Sequence, residues 1–490
     1  MKKAVITMLG LLSHTQPKYI CNNGEVERSF EEMQLEDRAN YLFSEELSGF
    51  AQNLTQNHYI NTLPLLIDVF KDRDIIPIAT PKAKMIQEQS LKFLAVDGSC
   101  LDHTVLISES NYEEIFQKIS ELLQNETYES FIIDLTHGFR HLPILMIVNL
   151  IIASIKDVEK IEHIFFAKEI VPFKEYKIID LLDYIDLAKL SFVLENFNTN
   201  YTVGNKLVFR KPEYQGLVNS LQEISEHILA NSIKRLLKPD ENLIQSTIDK
   251  LQVLQKEDTY IATFSHSIGS IIEHLGKIEI LKDEEEYIKL FKFAEVMQKR
   301  DYLLNSITLL NESIGMFCIK QLMNMGDSIE PFIKAYQIKI DQAETNKDKK
   351  EFNIYKLSHQ SKNIIKLGNG FKGEFLSSDS MKRKILDKLR EQHNQKLIDL
   401  IDRVGDLRNN LAHGNSSDER QDVESEINSL LKEYQTIARI PNTIDLKAKE
   451  KELREKALKK QKMRKPKAKP TGIDAPREEI DKLQNIFNGR

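Results

Sequence analysis

Apolar and polar positions follow two different rhythms along this chain, and the change of rhythm near residue 185 divides it. Over the first ~180 residues, short apolar runs alternate with stretches patterned as helices. The runs are AVITML near the start, DIIPIA at 74–79, TVLI at 104–107, FIIDL at 131–135 and IEHIFFA at 161–167. Runs of this length, separated by helices, predict βα units and a parallel sheet. Beyond 185 the strand signals nearly vanish. Apolar residues recur at helical spacing over 213–237, 241–255, 258–278, 284–324, 329–345, 381–404 and 421–437, so this half is predicted to be all-α. The polar segment Asn198–Asn205 suits a connector containing Gly204, although Tyr201 and Val203 equally suit a short strand. Asp341–Lys350 reads as a loop or insertion. The division expected is an α/β domain over 1–185, a helical domain over 186–445 and a charged, proline-containing tail over 446–490.

The first dozen residues have the charged and apolar regions of a signal peptide. The next six, Ser13-His14-Thr15-Gln16-Pro17-Lys18, offer no small-x-small cleavage site, and the apolar stretch suits a buried first strand ending at Gly10. The longest apolar run, Leu142–Ile155, falls short of the ~20 residues a membrane span needs and reads as a buried helix. A cytoplasmic protein with no membrane contact is expected.

Composition narrows the classes further. At 490 residues the chain exceeds what one core supports, and 41% hydrophobic with 29% charged residues excludes fibrous and wholly disordered readings. Three dispersed cysteines, Cys21, Cys100 and Cys318, make neither a disulfide framework nor a CxxC zinc site. Between Lys447 and Lys469 twelve Lys or Arg stand against three Glu, a local charge of +9 in a chain whose total is −6. The tail can touch RNA, and it equally suits a solvated helical end.

Two segments carry candidate chemistry. The first is DLTHGFR, Asp134–Arg140, a strand end that turns into an apolar helix with Pro143 near its first turn, where proline is tolerated. Ligands of open α/β sheets bind outside the carboxyl ends of strands, and a helix N-terminus offers unpaired N–H groups to an anion. Gly138 permits close backbone approach, Thr136 and His137 can hydrogen-bond, and Arg140 can fork onto a phosphate. An ordinary turn capped by Asp134 or Thr136 has the same letters. The loop Gly10–Thr15 after the first strand, with Ser13 and Thr15, is positioned to share the crevice. His137 and His141 are four apart, but lack a further ligand at helical spacing, so no metal site is expected.

The second segment is RNNLAHG, Arg408–Gly414. Histidine ordinarily titrates near neutrality, so His413 can act as general acid or base in attack of a ribose 2′-hydroxyl on the adjacent phosphorus, with Arg408 stabilising the phosphoryl oxygens. Five residues on a straight helix are about 140° apart, which requires a bend or a site completed by a second subunit. The alternative is a surface turn that Gly414 ends. Glu312, in LLNESIG, either supports this site from another helix or is a solvated surface carboxylate.

With both segments in view, the chain resembles the CARF-HEPN ribonucleases of type III CRISPR systems. DLTHGFR after an inner strand is similar to that family's ligand loop, and RNNLAHG to its R-x4-H motif; in architecture the likeness spans about 1–437. The resemblance implies a Rossmann-like CARF domain and a HEPN domain in a homodimer that binds a cyclic oligoadenylate, tetra- or hexa-adenylate, as allosteric activator. It implies metal-independent cleavage of single-stranded RNA in antiviral defence, with one Arg408–His413 pair and the adjacent Asn409 from each subunit. No cofactor is implied. Thr136, His137, Gly138 and Arg140 match the ligand-loop pattern, whereas Gly10, Ser13 and Thr15 are placed by position alone; MLGLLSHTQ departs from the glycine- and threonine-rich form common there. Some members also cleave the ring in the CARF pocket, where His137 or Ser13 would assist. The competing readings are a non-catalytic cyclic-nucleotide sensor acting through dimerisation or partner binding, and a nucleotide-processing enzyme with its chemistry in the α/β half.

Overall fold

The computed structural model describes residues 2–10, 21–22, 25–26, 38–56, 58–108, 110–138, 141–155, 160–204, 207–238, 242–324, 330–367, 395–414 and 418–441. Ser13, Thr15, Arg140, residues 381–394 of the helical stretch expected over 381–404, and the basic tail lie outside the described residues. These residues divide into two compact units, one reaching to Leu194 and including Gly204–Val218, the other comprising Glu195–Val203 and the residues from Asn219 onward. One helix, Leu182–Asn200, runs unbroken across position 185.

The first unit is built on an eight-stranded sheet of β1 (Lys2–Met8), β2 (Ala39–Phe43), β3 (His58–Tyr59), β4 (Asp74–Ala79), β5 (Val105–Leu106), β6 (Tyr128–Asp134), β7 (Ile161–Val171) and β8 (Glu175–Asp180). Their order across the sheet is β3-β2-β8-β7-β6-β1-β4-β5. The run from β7 to β5 is wholly parallel. The sheet as a whole is mixed, since β8 pairs antiparallel with β7 and β3 antiparallel with β2. A tight turn at 172–174, with Phe173 in the left-handed region (φ 61°), returns the chain after β7 and sets that antiparallel pair.

The apolar runs are continuous because both faces of the sheet are covered. Along β1, Ala4, Ile6 and Met8 pack with Ile115 and Ile119 of α3 (Tyr112–Leu123) and with Leu142 and Met146 of α4 (His141–Ile155). Val5 and Leu9 face the other way, into a cluster with Leu63 and Leu66 of α1 (Thr62–Val69) and Ala83 and Leu91 of α2 (Pro81–Phe93). Local sequence starts these helices: Asn61 caps α1 by accepting from the Leu63 N–H, and Thr80 caps α2 ahead of Pro81, whose missing N–H costs nothing there. The helix expected to be wholly buried, α4, is buried on one stripe only. It forms an outer layer, so Leu142, Met146 and Leu150 meet the sheet while Ile144, Val148 and Ile152 are exposed.

The second unit is helical. Its core is organised around α10 (Leu303–Met323), which packs against α9 (Glu286–Gln298), α12 (Ile354–Leu367), α13 (Gln395–Ala412) and α14 (Arg420–Ala438). Preceding these in the chain are α5 (Leu182–Asn200) and α6 (Pro212–Leu229), each of which crosses the division between the units, then α7 (Leu243–Glu257) and α8 (Ser265–Glu279); α11 (Glu330–Asp341) lies between α10 and α12 in the chain. The single stretch expected over 284–324 is two helices, broken where Asp301 takes a left-handed conformation (φ 63°). At Gly315 the α10 backbone meets α12 so closely that an added Cβ would fall 1.8 Å from Ser358 Oγ. Among the described residues no helix is long and apolar enough to cross a membrane.

Candidate functional site

In the first unit the sheet order reverses between β1 and β6. After β1 the chain forms β2 and β3 at the far edge, then β4 and β5 on one side of β1, and returns past β1 to add β6 and β7 on the other. Ligands of open α/β sheets bind outside the carboxyl ends of the strands that flank such a reversal. Thr7 of β1 lies opposite Asp134 of β6, and just beyond them Gly10 and Gly138 touch. A Cβ on Gly10 would sit 3.0 Å from the Gly138 nitrogen, and Gly138 itself holds φ +105°, which L side chains rarely adopt. Gly10 and Gly138, one from each of the two segments expected to share a crevice, therefore meet backbone to backbone.

Beneath them lies a buried carboxylate. Asp134 Oδ2 accepts from the hydroxyls of Thr7 (2.8 Å) and Thr62 (2.6 Å), and Oδ1 accepts from the hydroxyl (2.6 Å) and backbone N–H (3.1 Å) of Thr136. Burial pushes the Asp134 pKa up, and these donors pull it back toward the ionised form. The Thr136 hydroxyl also accepts from the Ala167 N–H at 3.0 Å, so it ties β6 to β7. His137 Nε2 accepts from the Thr62 N–H at 3.3 Å, which assigns the ring proton to Nδ1. Burial lowers the His137 pKa to about 4, so the imidazole is neutral at neutral pH. The His141 ring packs edge-on against Tyr112.

A third segment joins this crevice. Gln87 Nε2 donates to the Gly10 carbonyl (3.1 Å), Asn61 Nδ2 donates to Gln87 Oε1 (2.9 Å), and Asn61 caps α1. Thr7, Asn61, Thr62 and Gln87 escaped sequence reasoning because they are polar residues scattered over 80 positions with no motif. Their signal is that each is a polar residue within or at the end of an otherwise apolar buried element, a placement that demands a partner.

In the second unit, Leu397, Leu400, Ile401, Val404 and Leu407 form the buried stripe of α13, and Arg408 continues it, one turn beyond Val404. Arg408 is accordingly half-buried; its Nη1 donates to Asn409 Oδ1 at 3.0 Å, and its Nε is buried without a hydrogen-bond partner among the described residues. Asn409 and His413 are exposed. The backbone does not bend between them: the His413 N–H still donates to the Asn409 carbonyl at 3.0 Å, and the helix ends at Gly414, φ +66°. Within one copy of the chain, Arg408 and His413 thus stand about 140° apart around α13.

On α12, which packs against α13, the structure adds a residue that the sequence reading passed over. Lys362 of α12 is 8% exposed, and its ammonium donates to Asn311 Oδ1 at 2.9 Å and to the Asn311 carbonyl at 3.4 Å. Its pKa is lowered, first by burial and further by the positive charge of Arg408, while Glu312 and Cys318 oppose the shift. Glu312 is partly buried, so its carboxylate belongs to this cluster rather than to a solvated face. The arrangement places two cations and one carboxylate from three packed helices beside an exposed Asn–His helix end, a combination suited to holding a phosphate next to a general acid or base. No family model matches this sequence, and no curated protein matches it.

Proposed function

We propose that this chain is a cyclic-oligoadenylate-activated, metal-independent endoribonuclease of the CARF-HEPN kind. The observation that carries the reading is the end of α13, where Arg408 and Asn409 lie in the last turns, His413 directly follows the helix without a bend, and Asn409 and His413 are open to solvent. A second copy of the chain would bring its own Arg408–His413 pair to the same strand. One His413 takes the proton of a ribose 2′-hydroxyl, the oxygen attacks phosphorus, and the bond to the 5′ oxygen breaks as the other His413 donates a proton to it. Arg408 neutralises charge building on the phosphoryl oxygens. In the first unit, the Gly10–Gly138 contact at the sheet reversal supports a ligand site, and a ring of near twofold symmetry suits two such sites related by a twofold axis. Binding activates only as far as the ring favours the arrangement in which the paired helices meet productively.

This chemistry leaves a 2′,3′-cyclic phosphate on one product and a 5′-hydroxyl on the other. End-group analysis of the cleaved RNA by mass spectrometry is expected to find both; 5′-phosphate ends would exclude 2′-hydroxyl attack. One observation favours the sensor reading instead: a straight α13 does not bring Arg408 and His413 together within one chain. That reading expects ring binding with no RNA cleavage.

A further inference from the structure

Lys362 occupies the buried face of α12, alongside Leu357, Ser358, Ser361, Ile364 and Ile365. A lysine that served only to solubilise the helix would stand on the other face. Its hydrogen bonds go to Asn311 rather than to a carboxylate, and one of its three N–H donors has no partner among the described residues. Arg408, whose Nε is likewise buried without a partner among the described residues, stands on α13, which packs against α12. Glu312 offsets one of these two positive charges, which leaves the cluster with a net charge of +1. Buried cations that are incompletely paired are costly, and an arriving anion relieves that cost.

We propose that Lys362 is a further phosphate-binding residue of the Arg408 site, its ammonium supplying a second positive charge to the backbone of a bound single strand. The proposal rests on the reading of Arg408 as a ribonuclease residue and adds to it the group that makes the site select a polyanion.

The test uses the full chain in EDTA and a fluorescent single-stranded 2′-deoxyoligonucleotide, which carries the phosphates but no attacking hydroxyl. Lys362→Gln keeps a donor for Asn311 and removes the charge. It is expected to weaken binding about tenfold at low salt, and to make the plot of log Kd against log salt shallower by about 0.7. Lys362→Arg keeps the wild-type slope. A Lys362→Gln protein with wild-type affinity and slope overturns the proposal, as does weaker binding with an unchanged slope, which is the mark of a structural role. Wild-type protein that does not bind the probe overturns it as well. Should Lys362→Gln not fold, Lys362→Met is measured in its place; if neither neutral variant folds while Lys362→Arg does, the cation is structural and the proposal fails. RNA cleavage by the wild type, measured in parallel, separates the two readings. Cleavage with an unaltered slope in the variants retires only the role of Lys362, and an altered slope without cleavage retires only the ribonuclease.

Discussion

Substituting His413→Ala is expected to lower RNA cleavage by at least about a thousandfold while leaving ring affinity within about threefold of wild type. The size reflects the chemistry: one positioned general acid or base contributes roughly 10²–10⁴ to a rate, and in a paired site each His413 serves one of the two proton transfers. Its selectivity reflects the structure. His413 is exposed at the end of α13 and contributes its backbone N–H, not its side chain, to the helix, so truncation should cost within about 0.5 kcal/mol of stability. Arg408→Ala is a less clean probe, because Arg408 is half-buried on the stripe by which α13 packs against α10 and α12. Single-turnover cleavage of a labelled RNA and calorimetric ring binding, measured on the same preparation, read the two effects separately. Unchanged cleavage by His413→Ala would move the chemistry elsewhere in the chain.

The second large effect is expected at the sheet reversal. Gly10→Ala is expected to weaken ring binding by about ten- to a hundredfold and to cost about 1–3 kcal/mol of stability, the usual range for overpacking. The added Cβ meets the backbone of Gly138, at 3.0 Å from N and 3.3 Å from Cα, rather than the flexible end of a side chain. Gly138 has little room to retreat. It already holds φ +105°, and the Met8 and Leu142 side chains lie against it. The loops must therefore part where the ring is proposed to sit, and Gln87 loses its geometry on the Gly10 carbonyl. Because the substitution leaves α13 untouched, cleavage should recover at saturating ring concentration, which the His413 variant cannot do. Lower thermal stability with wild-type ring affinity would show that the ring does not bind at this loop.

These two sites were not equally legible in the sequence. The five apolar runs of the N-terminal half all form strands; those of β1, β4 and β6 are buried on both faces, so the pattern is local, whereas the edge strand β5 leaves Leu106 exposed. Strands β2 and β8 gave no comparable signal. They pair with each other in parallel across 130 residues, Tyr41 opposite Tyr176, and ANYLF and EYKIID alternate too briefly to stand out. Asp134, Thr136, His137 and Gly138 could be read because they lie in one short segment. Thr7, Asn61, Thr62 and Gln87, which complete the site, become neighbours only once the sheet is assembled. At the other site Arg408 and His413 were legible as a spacing, and the helix-end glycine as a stop. Lys362 was hidden because α12 itself was overlooked next to the polar stretch Asp341–Lys350. Once that helix is drawn, a lysine among Leu357, Ser361, Ile364 and Ile365 marks itself as buried.

The measurement that bears most directly on the whole account is cleavage of a fluorescent single-stranded RNA by the purified full chain in EDTA, without a ring and with cyclic tri-, tetra- or hexa-adenylate. The account expects cleavage to be slow without a ring and to rise sharply with one ring size only. Equal rates with and without every ring, or ring binding that is measurable while the RNA stays intact, would contradict it.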